Sequence, residues 1–223
     1  MDLSPKEIGE RIKSLRKDRG WTLQELSRRC GVSISAVSKI ENAQVTVSFD
    51  TLVKIARGFD LSFDALLVAA PDSRRTGRFT ITRQDTGLFF STDMYEYRVH
   101  SAELRQKQII PLHMVIKSRE LEDITRWSSH EGEEFVYVLA GTIELHTELY
   151  APALLKKGDS AYFDSSMAHA FLNRGRNDAE ILSICLSRSL DFPADAQAAG
   201  QRPEGRDSRR DGTSPRKLAL KPA

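Results

Sequence analysis

The sequence predicts two domains, an amino-terminal all-α bundle of five helices followed by a carboxy-terminal all-β barrel. Three observations carry that expectation. Apolar residues recur with helical spacing from residue 4 to about residue 70, and they alternate with a period of two beyond residue 78. Between the two stretches, PDSRRTGR at 71–78 has proline, glycine, serine and three arginines but no apolar rhythm, which reads as a linker. The length of 223 residues exceeds the ~100–200 typical of one domain and accommodates both.

The helices follow from caps and stripes. Ser4-Pro5 with Glu7 is a capping box with proline in the first turn, and Ile8, Ile12 and Leu15 then form one apolar stripe that Gly20 ends. Thr22 caps a second helix with Leu23, Leu26 and Cys30 inward, and Gly31 stops it. Ser33 caps a third, turning Val37 and Ile40 inward and Ser35, Ser38 and Lys39 outward. A fourth starts at Ser48 or Asp50, carries Leu52, Ile55 and Ala56, and closes at Gly58. Ser62 opens a fifth with Phe63, Leu66 and Leu67.

Beyond the linker, strands are expected at 79–83, 94–99, 109–117, 134–139, 142–148 and 180–187. Ala140-Gly141 is read as the turn of a hairpin between the fourth and fifth of these. Residues 191–223 hold four of the eight prolines and few large apolar side chains, so a disordered tail is expected there. The domain boundaries are accordingly 1–70, 79–190 and a tail from 191.

Composition narrows the function classes. Hydrophobic residues at 40% and charged residues at 29% exclude collagen-like and wholly disordered chains. The longest apolar runs, Ala65–Ala70 and Phe135–Ala140, are six residues, too short to span a bilayer, and MDLSPKEIGE has no secretory pattern; no membrane partner and a cytoplasmic location are expected. Cys30 and Cys185 are expected to be buried reduced thiols. The net charge of +2 hides a division, because residues 101–190 carry 10 basic and 13 acidic side chains. Bulk charge therefore does not hold nucleic acid, and DNA binding requires a positioned element.

Such an element is present. TLQELSRRCGVSISAVSKIENA at 22–43 turns sharply at Gly31, packs its corner with Leu26, Val32, Val37 and Ile40, and leaves a polar outer face on the third helix. The stretch from about Ile8 to Leu67 resembles the Cro-like, XRE-type helix-turn-helix regulators. The resemblance implies that the third helix enters the major groove of a double-stranded DNA operator. Ser33, Ile34, Ser35, Ser38 and Lys39 would face the groove, Gln24 would contact the backbone or brace the reading helix, and Asn42 and Gln44 would lie near phosphates. With no arginine and no bidentate asparagine on that face, modest specificity per half-site is expected. A homodimer on half-sites ~34 Å apart follows, with Leu66, Leu67 or the sheet of the second domain as candidate contacts.

SSHEGEEFVYVLAG at 128–141 and GDSAYFDSSMAHAFLN at 158–173 resemble the two motifs of the cupin superfamily, which implies a double-stranded β-helix barrel over about 105–187. His130, Glu134 and Gly141 match the first motif, and Gly158, His169 and Asn173 the second. Ser128 stands where the first motif has another histidine, and Asp164-Ser165-Ser166 replaces a proline and glycine turn. His130, Glu134 and His169 form a two-histidine, one-carboxylate set suited to Fe(II), Mn(II) or Zn(II), weakened by the lost imidazole. No cofactor is certain. An interior cavity for a small-molecule effector, lined by His130, Glu134, Tyr137, Phe163, His169 and Phe171, is preferred to a firmly held metal.

These readings converge on a transcription regulator whose barrel senses a small molecule or makes the dimer, with the linker as the lever. The degenerate motif argues for a sensor without catalysis. The alternative is a metal-dependent cupin enzyme, a dioxygenase or isomerase, with an appended DNA-binding domain; an adaptor that uses the bundle for protein contacts is a third.

Overall fold

The structure, a computed structural model, describes residues 2–67, 79–104, 107–124 and 127–186. The expected linker at 71–78 and the tail at 191–223 lie outside the described residues.

The five helices form as the local signals predict. Helix α1 (Pro5–Asp18) begins at Ser4, whose hydroxyl accepts from the Glu7 amide while the Glu7 carboxylate accepts from the Ser4 amide, so two end donors are satisfied reciprocally. Helix α2 (Leu23–Cys30) is capped by Thr22 and stopped by Gly31 at φ 69, the left-handed conformation glycine adopts without penalty. Helix α3 (Ile34–Glu41) is capped by Ser33, α4 (Phe49–Gly58) follows Ser48, and α5 is Phe63–Leu67. Gly58 is the last residue of α4 yet has a different task from the stop expected of it. A Cβ there would meet Cys30 Cβ at 2.7 Å, so the glycine permits α4 to lie against α2. Leu66 and Leu67 are buried, which corrects their candidacy as dimer contacts: they pack the chain's own core.

The strands are β1 (Asp2–Leu3), β2 (Leu88–Ser91), β3 (Tyr95–Val99), β4 (Ile109–Ile116), β5 (Glu133–Ala140), β6 (Thr142–Thr147), β7 (Ala153–Lys156), β8 (Ser160–Asp164), β9 (His169–Asn173) and β10 (Ala179–Leu186). They make a seven-stranded sheet in the order β1-β2-β3-β4-β10-β5-β8 and a three-stranded sheet in the order β7-β6-β9. Two expectations change. Residues 79–83 form no strand. The expected hairpin is a crossover: β5 pairs with β10 and β8, β6 pairs with β7 and β9, and Gly141 at φ 77 passes the chain from one sheet to the other. Ahead of α1, Asp2 and Leu3 pair in parallel with Phe89 and Phe90 of the barrel sheet.

Helices and barrel share a continuous apolar core. Phe49 of α4 stacks on Tyr97 of β3 with centroids 6.0 Å apart, Phe63 of α5 packs on Phe90 of β2 at 6.0 Å, and Phe90 stacks on Tyr97 at 4.6 Å. Asp64 pairs with Lys107 at 2.8 Å, both side chains buried, and Lys107 also donates to the carbonyls of His100 and Ser101. Arg57 of α4 pairs with Glu131 at 2.8 Å. The two layers are therefore joined directly by packed side chains and ion pairs. No described helix is long and apolar enough to cross a membrane.

Candidate functional site

Two candidate sites are present among the described residues, one exposed and one enclosed. The exposed one is the outer face of α3. Its position is fixed from behind: Val37 and Ile40 are buried, and the buried Glu41 carboxylate receives two hydrogen bonds from Arg16 of α1, at 2.7 and 2.8 Å. Such a bidentate pair fixes orientation as well as distance. Ser33, Ile34, Ser35 and Lys39 are exposed, as are Gln24, Asn42 and Gln44; Ser38 is half-buried beside them. Asn42 donates to the Ser38 carbonyl at 2.8 Å and accepts from Lys13 Nζ at 3.2 Å, so it finishes the helix as well as lying at its exposed end. Ser35 and Lys39 open onto a cleft of about 610 Å³ whose far wall is Thr92, Asp93 and Met94 of the barrel.

The enclosed site lies inside the barrel. Strand β5 sends Glu134 inward, β9 sends His169, and the loop before β5 sends His130; all three are buried. His130 Nε2 and His169 Nε2 converge on one oxygen, Glu134 Oε2, at 3.2 and 3.3 Å. The other oxygen, Oε1, accepts from Ser183 Oγ at 2.7 Å. His169 Nδ1 lies 2.9 Å from the Met167 carbonyl, which makes it the donor and leaves Nε2 to face the carboxylate. Burial alone would raise Glu134, but hydrogen bonds from His130 and His169 outweigh it and hold the carboxyl far below its usual range. Burial disfavours charge on His169, yet the Glu134 hydrogen bond, the Met167 carbonyl and the Asp50 carboxylate raise its pKa.

The donor chemistry fits a divalent metal. Two imidazole nitrogens directed at one carboxylate oxygen require positive charge between them, supplied by protons or by an ion. His130, Glu134 and His169 would hold it, and Zn(II), Fe(II) or Mn(II) accept that set. Space decides against a larger occupant in this arrangement. The cavity bounded by Phe49, Tyr97, His130, Glu134 and His169 measures about 10 Å³, roughly the room one water or ion needs. Phe49 closes it, edge-on to the His130 ring at 5.5 Å.

Of the expected cavity residues, Phe163 and Phe171 are buried beside His169, with centroids 4.9 and 6.0 Å from its ring. Tyr137 is not among them. Alternation along β5 turns Glu134, Val136 and Val138 inward and leaves Tyr137 39% exposed on the outer face. Phe49, Tyr97, Ser183 and Cys185 escaped the sequence reading. Ser183 and Cys185 carried a signal, since both fall on the inward phase of β10.

Comparisons with known proteins agree with the two layers. Residues 12–66 match the helix-turn-helix family and residues 114–185 the cupin domain family. The HTH-type transcriptional regulator SinR of Bacillus licheniformis is 38% identical over 72 residues, 32% of this chain and 65% of that one. SinR of Bacillus subtilis is 43% identical over 61 residues, 27% of this chain and 55% of that one. The (S)-2-hydroxypropylphosphonic acid epoxidase of Streptomyces wedmorensis is 27% identical over 131 residues, 57% of this chain and 62% of that one. The chain thus spans between 55% and 65% of the length of these curated relatives. An HTH_3 family transcriptional regulator from Vibrio cholerae shares the fold, with a TM-score of 0.55 at 20% identity over 82% of this chain and 96% of that one.

Proposed function

From the premise that this chain is an XRE-type helix-turn-helix protein with a cupin domain, we propose that it is a cytoplasmic regulator. It binds duplex DNA through α3 as a homodimer and responds to a divalent metal ion in the barrel. The observation that carries this reading is the place of α4: its first residue, Phe49, packs against the metal-ligand candidate His130, while Thr51 and Lys54 further along it line the same cleft as Ser35 and Lys39 of the DNA-reading helix. One helix thus borders both the ion site and the cleft beside the reading face.

On the DNA side, Ser33, Ser35 and Ser38 offer short hydrogen bonds to base edges, Ile34 offers an apolar contact to a thymine methyl, and Lys39 offers charge to the groove or a phosphate. Gln24 and Asn42 stand where backbone contacts belong. The dimer face is the edge formed by β7 and β8, the end strands of their sheets, where Leu154 and Tyr162 are exposed beside Leu149 and Tyr150.

In the barrel, a bound ion would supply positive charge beside the Glu134 carboxylate and the His130 and His169 rings. The residues do the rest: Met167 fixes the His169 tautomer, Ser183 orients Glu134, and Phe49 excludes water. Any change in the His130 ring is felt by Phe49, and Asp50, buried beside it, carries an oxygen without a hydrogen-bond partner among the described residues. An ion regulates only by favouring one arrangement of α4 over another.

The second reading is a metal-dependent cupin enzyme such as a dioxygenase, favoured by the likeness to the epoxidase and by the same three ligands. The space of about 10 Å³ under Phe49 favours an ion over an organic substrate in this arrangement.

Selection of duplexes from a random pool with the full chain tests the proposal. Enrichment of a two-fold symmetric sequence, with affinity that falls steeply as salt rises, is expected. A pool that stays unenriched at low salt contradicts it.

A further inference from the structure

We propose that Cys185 is a metal ligand of the barrel, its thiolate standing in for the imidazole that Ser128 does not provide. The inference rests on the reading of the barrel as an ion site and gives that site its chemical character.

The ligand atoms of His130, Glu134 and Cys185 all lie within 4.8 Å of one another, and all three residues are buried. The strand pairing makes this a built arrangement: Cys185 of β10 is directly opposite Glu134 of β5, and both point inward. Ser183, two residues earlier on the same face of β10, bridges them, with its hydroxyl 2.7 Å from Glu134 Oε1 and 3.5 Å from Cys185 Sγ. Ser128 lies beside His169, the two backbones exchanging N–H···O bonds of 2.9 Å, and at its own position it offers only a hydroxyl to the cavity. A serine hydroxyl is a poor ligand for Zn(II) or Fe(II), whereas a thiolate is among the best.

Cys30 provides the contrast. It sits in α2 at the close approach of α4, its sulfur 3.9 Å from the Ser27 carbonyl, and packing accounts for it. Cys185 sits among polar, ligating groups that packing alone does not call for. On binding, the ion takes the sulfur lone pair and the thiol proton leaves to solvent, so one proton is released per ion from this residue. A sulfur donor shifts the preference of the site away from Mn(II) and toward Zn(II), Fe(II) or Co(II).

Titrating the reduced, metal-free full chain with Co(II) reads this out. Stoichiometric binding is expected, with visible d–d bands and a near-ultraviolet sulfur-to-cobalt charge-transfer band. Cys30→Ser keeps the charge-transfer band; Cys185→Ser loses it and keeps the d–d bands. Wild-type d–d bands without the charge-transfer band, or a band lost in Cys30→Ser, overturn the assignment while leaving an ion in the barrel. Absence of Co(II) uptake overturns both. Should Cys185→Ser not fold, X-ray absorption of the Zn(II)-loaded wild type decides: a sulfur shell at about 2.3 Å is expected, and nitrogen and oxygen neighbours alone contradict it.

Discussion

The outer face of α3 and the interior of the barrel are both polar, yet they are built by opposite means. Ser35 and Lys39 are exposed and come from one helix of eight residues, held in place by the buried half of that helix. His130, Glu134, His169, Ser183 and Cys185 are buried and come from a loop and three strands spread over more than fifty positions. Side chains of the first kind contribute little to folding and are free to meet a partner. Those of the second kind depend on one another for solvation, so their chemistry and the stability of the fold cannot be separated.

That contrast is tested most severely at the seam between the layers. Lys107→Ala leaves Asp64 charged, buried and alone, and a loss of about 3–5 kcal/mol is expected in urea unfolding. A loss below about 1 kcal/mol would mean that the two layers are not held together as described. Inside the barrel, Glu134→Gln removes the charge on which both histidines converge; the metal-free protein should lose about 1.5–3 kcal/mol.

The pH dependence sharpens the same contrast. The folded pKa of His169 is raised above its ordinary 6.5, so its contribution is complete below 6.5 and is lost as pH climbs through the folded value. Glu134 is lowered from its ordinary 4.5, so its contribution is present above 4.5 and is lost as pH falls through the depressed value. Thermal unfolding of metal-free protein should therefore show greatest stability between these limits and a decline on the alkaline side that His169→Gln flattens. Stability that rises as pH passes upward through neutrality would contradict the assignment.

The smallest effect on folding belongs to the reading face. The pair Ser35→Ala and Lys39→Ala should stay within about 0.5 kcal/mol of wild type, as surface substitutions do. It should also weaken binding to the selected duplex and lower the salt slope by roughly one for each subunit's lost lysine. Unchanged DNA affinity would show that another surface reads the duplex.

How much of this was legible follows from the same difference. Caps at Ser4, Thr22 and Ser33 and the left-handed Gly31 act within a few residues, so the helices and their exposed face could be read along the chain. Sheet partners are chosen at a distance. The turn at Ala140-Gly141 looked like a hairpin because β5 and β6 each have strand character, but their pairing is decided by β10, β8, β7 and β9. Tyr137, expected inside as an aromatic lining residue, stands at an odd offset of three from Glu134, which puts it on the opposite face of β5. Phe49 has the spacing of a core residue, and periodicity does not say which core. His130, Glu134 and His169 were legible through motif spacing alone, and Cys185 was hidden within an apolar alternation that describes its direction but not its neighbours.

In the proposed regulator, the barrel interior and the reading face communicate through Phe49. Affinity for the selected duplex, measured by fluorescence anisotropy with Zn(II)-loaded and metal-free protein, should differ by about 5- to 150-fold in wild type, the usual range of coupling between sites. In Phe49→Ala, with folding confirmed, that ratio should collapse toward one. An equal ratio in both proteins would show that whatever the barrel binds reaches the DNA by another route.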